Sequence, residues 1–142
     1  MSSALKEVID LLELDLIDDL LFQGPSHDIG STRVFGGQIV GQALAAAQKT
    51  VSEDHLAHSL HAYFLRAGDV DRPVVYQVER ARDGQSYANR RIVALQRGRP
   101  ILNMAASFHL HEEGQSHQVS APKVPGPEGL TDTFDLHQSV AD

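Results

Sequence analysis

The sequence predicts an α+β domain in which an antiparallel sheet surrounds one buried helix. Its 142 residues, 42% of them hydrophobic, fit one ordinary domain with a substantial core. Residues 34–48 carry no charged side chain and have helical periodicity. Several later segments alternate apolar and polar positions, as half-buried strands do. These observations together indicate one central helix and a meander of long strands.

The charge-free segment is predicted to be the central helix. Val40, Leu44 and Ala47 follow helical spacing, and small residues occupy nearly every side. A helix that is apolar all round is a buried one, and Gly and Ala let its backbone lie close to a neighbour. A shorter amphipathic helix is predicted for residues 4–13, where the apolar positions recur at helical spacing.

The remaining elements are predicted as strands. Residues 16–23 form a strand candidate that ends at the break Gly24-Pro25-Ser26. In residues 56–69 the alternation places His58, Leu60 and Phe64 on one face. Three further strands are predicted, with turn signals between them at Asp83-Gly84 and at Gly98; they cover residues 74–84, 86–97 and 101–111.

Composition excludes several classes of protein. The absence of cysteine excludes disulfides, cysteine-ligated zinc, iron–sulfur clusters and thiol catalysis. No apolar run is long enough for a membrane span, and the acidic first residues do not form an export signal. The formal net charge of −7 argues against nucleic-acid binding. The expectation is a cytoplasmic domain.

Charge is unevenly distributed along the chain. Residues 1–30 hold one basic and seven acidic side chains, whereas residues 66–99 hold eight arginines and four acids. Arginine binds phosphate through a planar, two-pronged fork. The arginine-rich region therefore predicts either a solvated strand surface with ordinary ion pairs or a site for a phosphorylated small molecule.

Long ordered motifs then connect the sequence with a known family. The run RVFGGQIVGQALAAAQKTV, followed by HSLHAYFLRAGD, RDGQSYANRRIVALQRGRPI and MAASF, resembles the N-terminal half of bacterial acyl-CoA thioesterase II. The resemblance implies a hotdog fold for residues 1–112. It also implies hydrolysis of acyl-CoA to fatty acid and CoA, without metal or organic cofactor. Residues 113–142, rich in Pro and Gly, resemble the linker to a second hotdog domain.

The same resemblance implies that this chain holds half of an active site. In the family, the water-activating Asp, with a Thr or Ser and a Gln, belongs to the second hotdog domain. Here no carboxylate occurs between residues 29 and 52, and Ala45 stands where a carboxylate would be expected. The expected partners are therefore acyl-CoA and either a second hotdog domain or another copy of the chain.

The thioester-binding candidates are Gly36, Gly37 and Gln38. If the helix starts here, its first N–H groups have no intrahelical partner and can polarise a carbonyl oxygen. The alternative is that the two glycines simply permit a tight turn.

Histidine and arginine supply the other candidates. His58 is the candidate catalytic residue, and the alternative is a hydrogen-bonded core histidine. Arg66, Arg90 and Arg91 are the candidates for binding the CoA phosphates, with the two adjacent arginines on opposite faces of a strand.

The sequence predicts no metal site, and two functions other than hydrolysis remain open. His109 and His111 share a strand face, but a third ligand is not identifiable, so no metal site is predicted. One rival function is a hotdog hydratase or dehydratase that uses His58 as base. The other is a non-catalytic hotdog module that binds acyl-CoA or a partner domain.

Overall fold

The protein is represented by a computed structural model that describes residues 3–133 and 136. Its elements are, in chain order, α1 (Ser3–Leu12), β1 (Asp15–Asp18), β2 (Leu21–Gly24), α2 (Gly36–Gln48), β3 (His55–Phe64), β4 (Val74–Asp83), β5 (Tyr87–Gln96) and β6 (Arg99–Leu110). The strands form one six-stranded sheet in the order β1-β2-β4-β5-β6-β3, in which every neighbouring pair is antiparallel. β1 and β3 are thus the edges of the sheet.

Helix α2 packs against one face of this sheet, where it contacts β3, β4, β5 and β6. Its sheet-facing side buries Ile39, Gln42, Ala43, Ala46 and Ala47, and the three alanines have no exposed surface. The other side of the helix is half-buried. Small side chains bring the helix close to the sheet, and the predicted helix wrapped by an antiparallel sheet is confirmed.

Strands β4, β5 and β6 show the predicted alternation. Their inward side chains include Tyr76, Ile92, Leu102 and Phe108, all with at most 1% of their surface exposed. The edge strand β3 does not show this alternation of buried and exposed side chains, because most of its residues are exposed. The strand ends at Phe64, earlier than the predicted residue 69, because the chain turns there and the next two N–H groups both bond to the Ile101 carbonyl.

The single strand predicted for residues 16–23 is wrong in one respect. The structure has two strands there, β1 and β2, joined by a turn at Asp19 and Leu20. Leu20 has a φ of 59°, a left-handed conformation that leucine seldom adopts and that no glycine or asparagine announces. The sequence signal for this turn is the pair Asp18-Asp19, where the Asp18 carboxylate accepts a hydrogen bond from the Asp19 N–H.

The chain divides into two units between Glu112 and Glu113. Residues 113–132 adopt no helix or strand. Within that segment Pro127 accepts a backbone hydrogen bond from Leu130. Its role as a linker to a second hotdog domain stays a prediction. Across the described residues, no helix combines the length and apolar character needed to cross a membrane.

Candidate functional site

The first turn of α2 presents unpaired backbone N–H groups. The helix begins at Gly36, after an extended Phe35 that makes no side-chain cap. The Gln38 N–H donates to the Phe35 carbonyl at 3.1 Å, so it is not free as the sequence suggested. Among the described residues, the N–H groups of Gly36 and Gly37 have no such acceptor. These two amides, with the positive end of the helix dipole behind them, can stabilise a negative oxygen.

Two aromatic rings flank these amides. A Cβ on Gly36 would lie 3.0 Å from the Phe64 ring, and one on Gly37 would lie 2.4 Å from the Phe35 ring. A side chain at Gly37 would have to displace the Phe35 ring, and one at Gly36 would press the Phe64 ring outward by a few tenths of an ångström. Both phenylalanines are 57% exposed, so the amides open between two accessible apolar surfaces.

Side-chain amides fix the chain that leads into this turn. Gln38 accepts a hydrogen bond from the His27 N–H and donates to the Pro25 carbonyl. Gln42 is fully buried and donates to the carbonyls of Pro25 and Leu11, while the Tyr76 hydroxyl donates to its Oε1 at 2.6 Å. Burial raises the pKa of Tyr76, which keeps its hydroxyl a donor. Gln38 is thus a support of the helix start through its side chain.

His58 lies at the far end of β3 from these amides. It is the extra residue of a β-bulge, because Ala57 pairs with Phe108 while Ser59 pairs with Ser107. Phe64 comes six positions later along the extended strand, which corresponds to about 20 Å. Its Nε2 is 2.8 Å from the Ser107 hydroxyl, and its ring is exposed. The alternative of a core histidine is therefore wrong, and a single chain does not bring His58 to Gly36 and Gly37.

Arg90 has a structural role that excludes the predicted contact with CoA. Its side chain is 1% exposed, and all five N–H groups of the guanidinium have partners within the chain. Two of them bond to Thr50, just after the end of α2, and others bond to Asp83 and to two strand carbonyls. No donor is left for a phosphate, so the assignment of Arg90 to the CoA phosphates is corrected.

Arg91 and Arg66 are exposed, in contrast to Arg90. Arg91 points to the sheet face opposite Arg90, is 68% exposed and lies 3.7 Å from Glu79. Arg66 lies two residues after the end of β3 and donates to the Pro100 carbonyl at 2.7 Å. It lines a cavity of about 440 Å³ together with Arg97 and Arg99. These two were not among the individual candidates, and their sequence signals are the arginine-rich region 66–99 and the turn at Gly98.

The histidines do not assemble a metal centre within the part of the chain that the structure describes. His109 instead contacts the rings of Tyr87 and His58 and lies 3.4 Å from Glu112. These residues form a surface aromatic cluster at the end of the sheet that is remote from the start of α2.

The sheet, its enclosed helix and the open amides at the helix start define a hotdog domain, and comparison with known proteins agrees. Residues 22–109 match the family model described as acyl-CoA thioesterase N-terminal domain. The chain belongs to this family. It is 45% identical to acyl-CoA thioesterase 2 of Haemophilus influenzae over 99% of the chain and 49% of that protein. It is 51% identical to human acyl-coenzyme A thioesterase 8, over 88% of the chain and 40% of the relative.

A solved structure shows the same arrangement. The acyl-CoA thioesterase II TesB2 of Mycobacterium marinum superposes with a TM-score of 0.78 at 40% identity, over 87% of this chain and 47% of that one. A protein with a hotdog fold from Alicyclobacillus acidocaldarius, at 24% identity and a TM-score of 0.73, supports the fold alone. The chain thus spans about half the length of the curated relatives it matches.

Proposed function

We propose that this chain is the N-terminal half of an acyl-CoA thioesterase and supplies the donors that polarise the thioester carbonyl. The observation that carries the proposal is the pair of unpaired N–H groups at Gly36 and Gly37 between two exposed phenylalanine rings. The amides suit the carbonyl oxygen, and the rings suit the adjoining apolar acyl chain.

In this proposal, water attacks the thioester carbon and negative charge develops on the carbonyl oxygen. Donors fixed before the reaction stabilise that charge, and each is typically worth about 10²–10³ in rate. The intermediate then collapses, the carbon–sulfur bond breaks and CoA leaves as the thiolate. The attacking water needs a group that accepts its proton. Residues 29–52 contain no carboxylate, so a second hotdog domain would supply this base.

The exposed edge of β3 is the proposed contact for that second domain. Large apolar side chains of the strand are accessible there, among them Leu56, Leu60 and Tyr63. An edge strand has unpaired backbone groups that accept a further strand. Antiparallel pairing of two such edges would place the beginning of one strand beside the end of the other. His58 would then lie near the partner's helix start instead of its own, and this position keeps it a candidate for the completed site.

Thiol release from a long-chain acyl-CoA tests the proposal. We expect the 142-residue chain alone to turn over at less than about 1% of the rate of its twice-longer Haemophilus relative, since a positioned base is worth about 10²–10⁴. A Gly37→Ala exchange within the complete two-domain protein should lower kcat, with Gly114→Ala as the matched control.

Full activity of the isolated chain would show that the base lies within it, and His58→Ala would be the next variant. Loss of enoyl absorbance without thiol release would indicate a hydratase instead. A cytoplasmic location remains a prediction.

A further inference from the structure

We propose that Arg66, Arg97 and Arg99 form a subsite for the phosphate groups of the nucleotide portion of the thioester substrate. The inference rests on the proposed function and names the part of the substrate that this surface binds. Arg90 is enclosed and Arg91 lies on another surface, whereas these three arginines line the cavity of about 440 Å³ beside the β5–β6 turn.

The charge of this cavity favours an anion. Three guanidinium groups line it against one carboxylate, Asp69, which lies 3.1 Å from Arg97. Arg66 uses one N–H on the Pro100 carbonyl, and the Arg99 side chain makes no hydrogen bond within residues 3–133. Most guanidinium donors are therefore open, in contrast to those of Arg90. A phosphate can accept such donors in pairs.

Hydrogen bonds from one buried side chain hold the wall of the cavity together. Gln96 is 8% exposed, and its side-chain oxygen accepts a hydrogen bond from the Asp69 N–H at 2.8 Å. Its Nε2 donates to the carbonyls of Asp69 and Arg72, each at 2.9 Å. One buried side chain thus holds the 69–72 loop against the end of β5. A site supported in this way loses less entropy when a ligand binds.

The backbone at Arg97 supports a functional role. Arg97 and Gly98 form a two-residue hairpin turn with φ values of 51° and 70°. Turns of this kind favour Asn or Gly at both positions, and a long side chain in the left-handed region is strained. Residues held in such conformations are concentrated at functional sites. Here the strained residue carries a charge into the cavity.

The cavity also lies at the end of the sheet where α2 begins. Val34, two residues before the helix, donates a hydrogen bond to the Gly68 carbonyl at 3.0 Å. Arg66 comes two residues after Phe64, whose ring lies beside Gly36. A substrate whose carbonyl lies at the open amides can therefore place its phosphate groups near the arginines, because both sites lie at the same end of the domain.

Titration calorimetry with adenosine 3′,5′-bisphosphate tests the subsite without turnover. The chain should bind this compound at least tenfold more tightly than inorganic phosphate. Arg97→Asn should weaken binding about fivefold and the double change with Arg99→Gln about twentyfold, each lost ion pair contributing a few-fold. Arg82→Gln, an exposed arginine at the opposite end of the sheet, is the matched control and should change binding less than twofold.

Arg97→Asn also separates binding from folding. Because asparagine tolerates the left-handed conformation better, this variant should melt about 2–5 °C higher while binding more weakly. Unchanged affinity in the double variant, no binding by the unaltered chain, or equal affinity for inorganic phosphate would overturn the subsite. If the subsite binds as expected but the complete two-domain protein releases no thiol, the proposed function fails and the subsite stands.

Discussion

Replacing Arg90 with methionine should destabilise the domain strongly. The guanidinium connects Thr50, two residues after the end of α2, with the hairpin of β4 and β5. In the hairpin it bonds to the Asp83 carboxylate and to the carbonyls of Arg82 and Asn89. Methionine fills much of the same volume but donates no hydrogen bond. Asp83 is 58% exposed and can be hydrated in the variant, so the cost falls on the partly buried carbonyls.

The magnitude follows from the number of oxygens left without a donor. Three backbone carbonyls lose a charged partner, at about 1 kcal/mol each, so the free energy of unfolding should fall by about 3 kcal/mol. That is a large part of the 5–15 kcal/mol typical of a domain. Arg91→Met removes the same charge from the neighbouring residue, which is exposed, and should change the free energy of unfolding by at most about 0.5 kcal/mol.

Urea unfolding of both variants and the unaltered chain, followed by circular dichroism, measures the difference. In thermal unfolding, the melting temperature of Arg90→Met should lie about 12 °C or more below that of the unaltered chain. Arg90→Lys should recover part of the loss, because an ammonium group keeps the charge but not the five-donor geometry. A stability of Arg90→Met within 1 kcal/mol of the unaltered chain would refute the structural role.

Three further predictions concern the core and the edge of the sheet. Burial raises the pKa of Tyr76 above its ordinary value of 10.0, so the contribution of Tyr76 to stability is complete below that pH and declines as the pH rises above it. Tyr76→Phe should abolish this decline and lower the free energy of unfolding by about 1 kcal/mol at neutral pH, because the hydrogen bond to Gln42 is lost. Unfolding curves at several pH values measure both effects. Gly24→Ala should cost about 1–3 kcal/mol because its Cβ would lie 2.8 Å from Gln42, whereas Gly114→Ala meets no atom and should be neutral in the same assay. The chain should form dimers or larger assemblies through the open β3 edge, and a monomeric mass by light scattering at about 10 µM would count against this.

The regular parts of the fold were predictable because they depend on local patterns. Alternation located β4, β5 and β6 within two residues of their observed ends, and helical periodicity located α2. The hairpin of β1 and β2 was missed because its turn places Leu20 in a left-handed conformation, so that Asp18 and Asp19 are the turn signal there and Gly or Asn is absent. The alternative of a core histidine at His58 failed because a bulge interrupts the alternation there and because most side chains of β3 are exposed.

The site was less predictable because its side chains come from distant parts of the chain. Arg90 and Thr50 are 40 residues apart, and nothing local distinguishes Arg90, which is enclosed, from Arg91, which is exposed. The meeting of Arg66 with Arg97 and Arg99 likewise depends on the pairing of β5 and β6 and on the turn after β3. Sequence spacing alone could show that arginines were abundant, but tertiary structure decides which of them share a cavity.

The close approach of α2 to the sheet has a consequence for how this domain tolerates mutation. Ala43, Ala46 and Ala47 have no exposed surface, so each site admits a methyl group and little more. Valine or leucine would force the helix away from the strands, at a cost comparable to that of other overpacked cores. Among random substitutions at these positions, survival should therefore follow side-chain volume rather than polarity, with Gly and Ser outperforming Val, Leu and Ile.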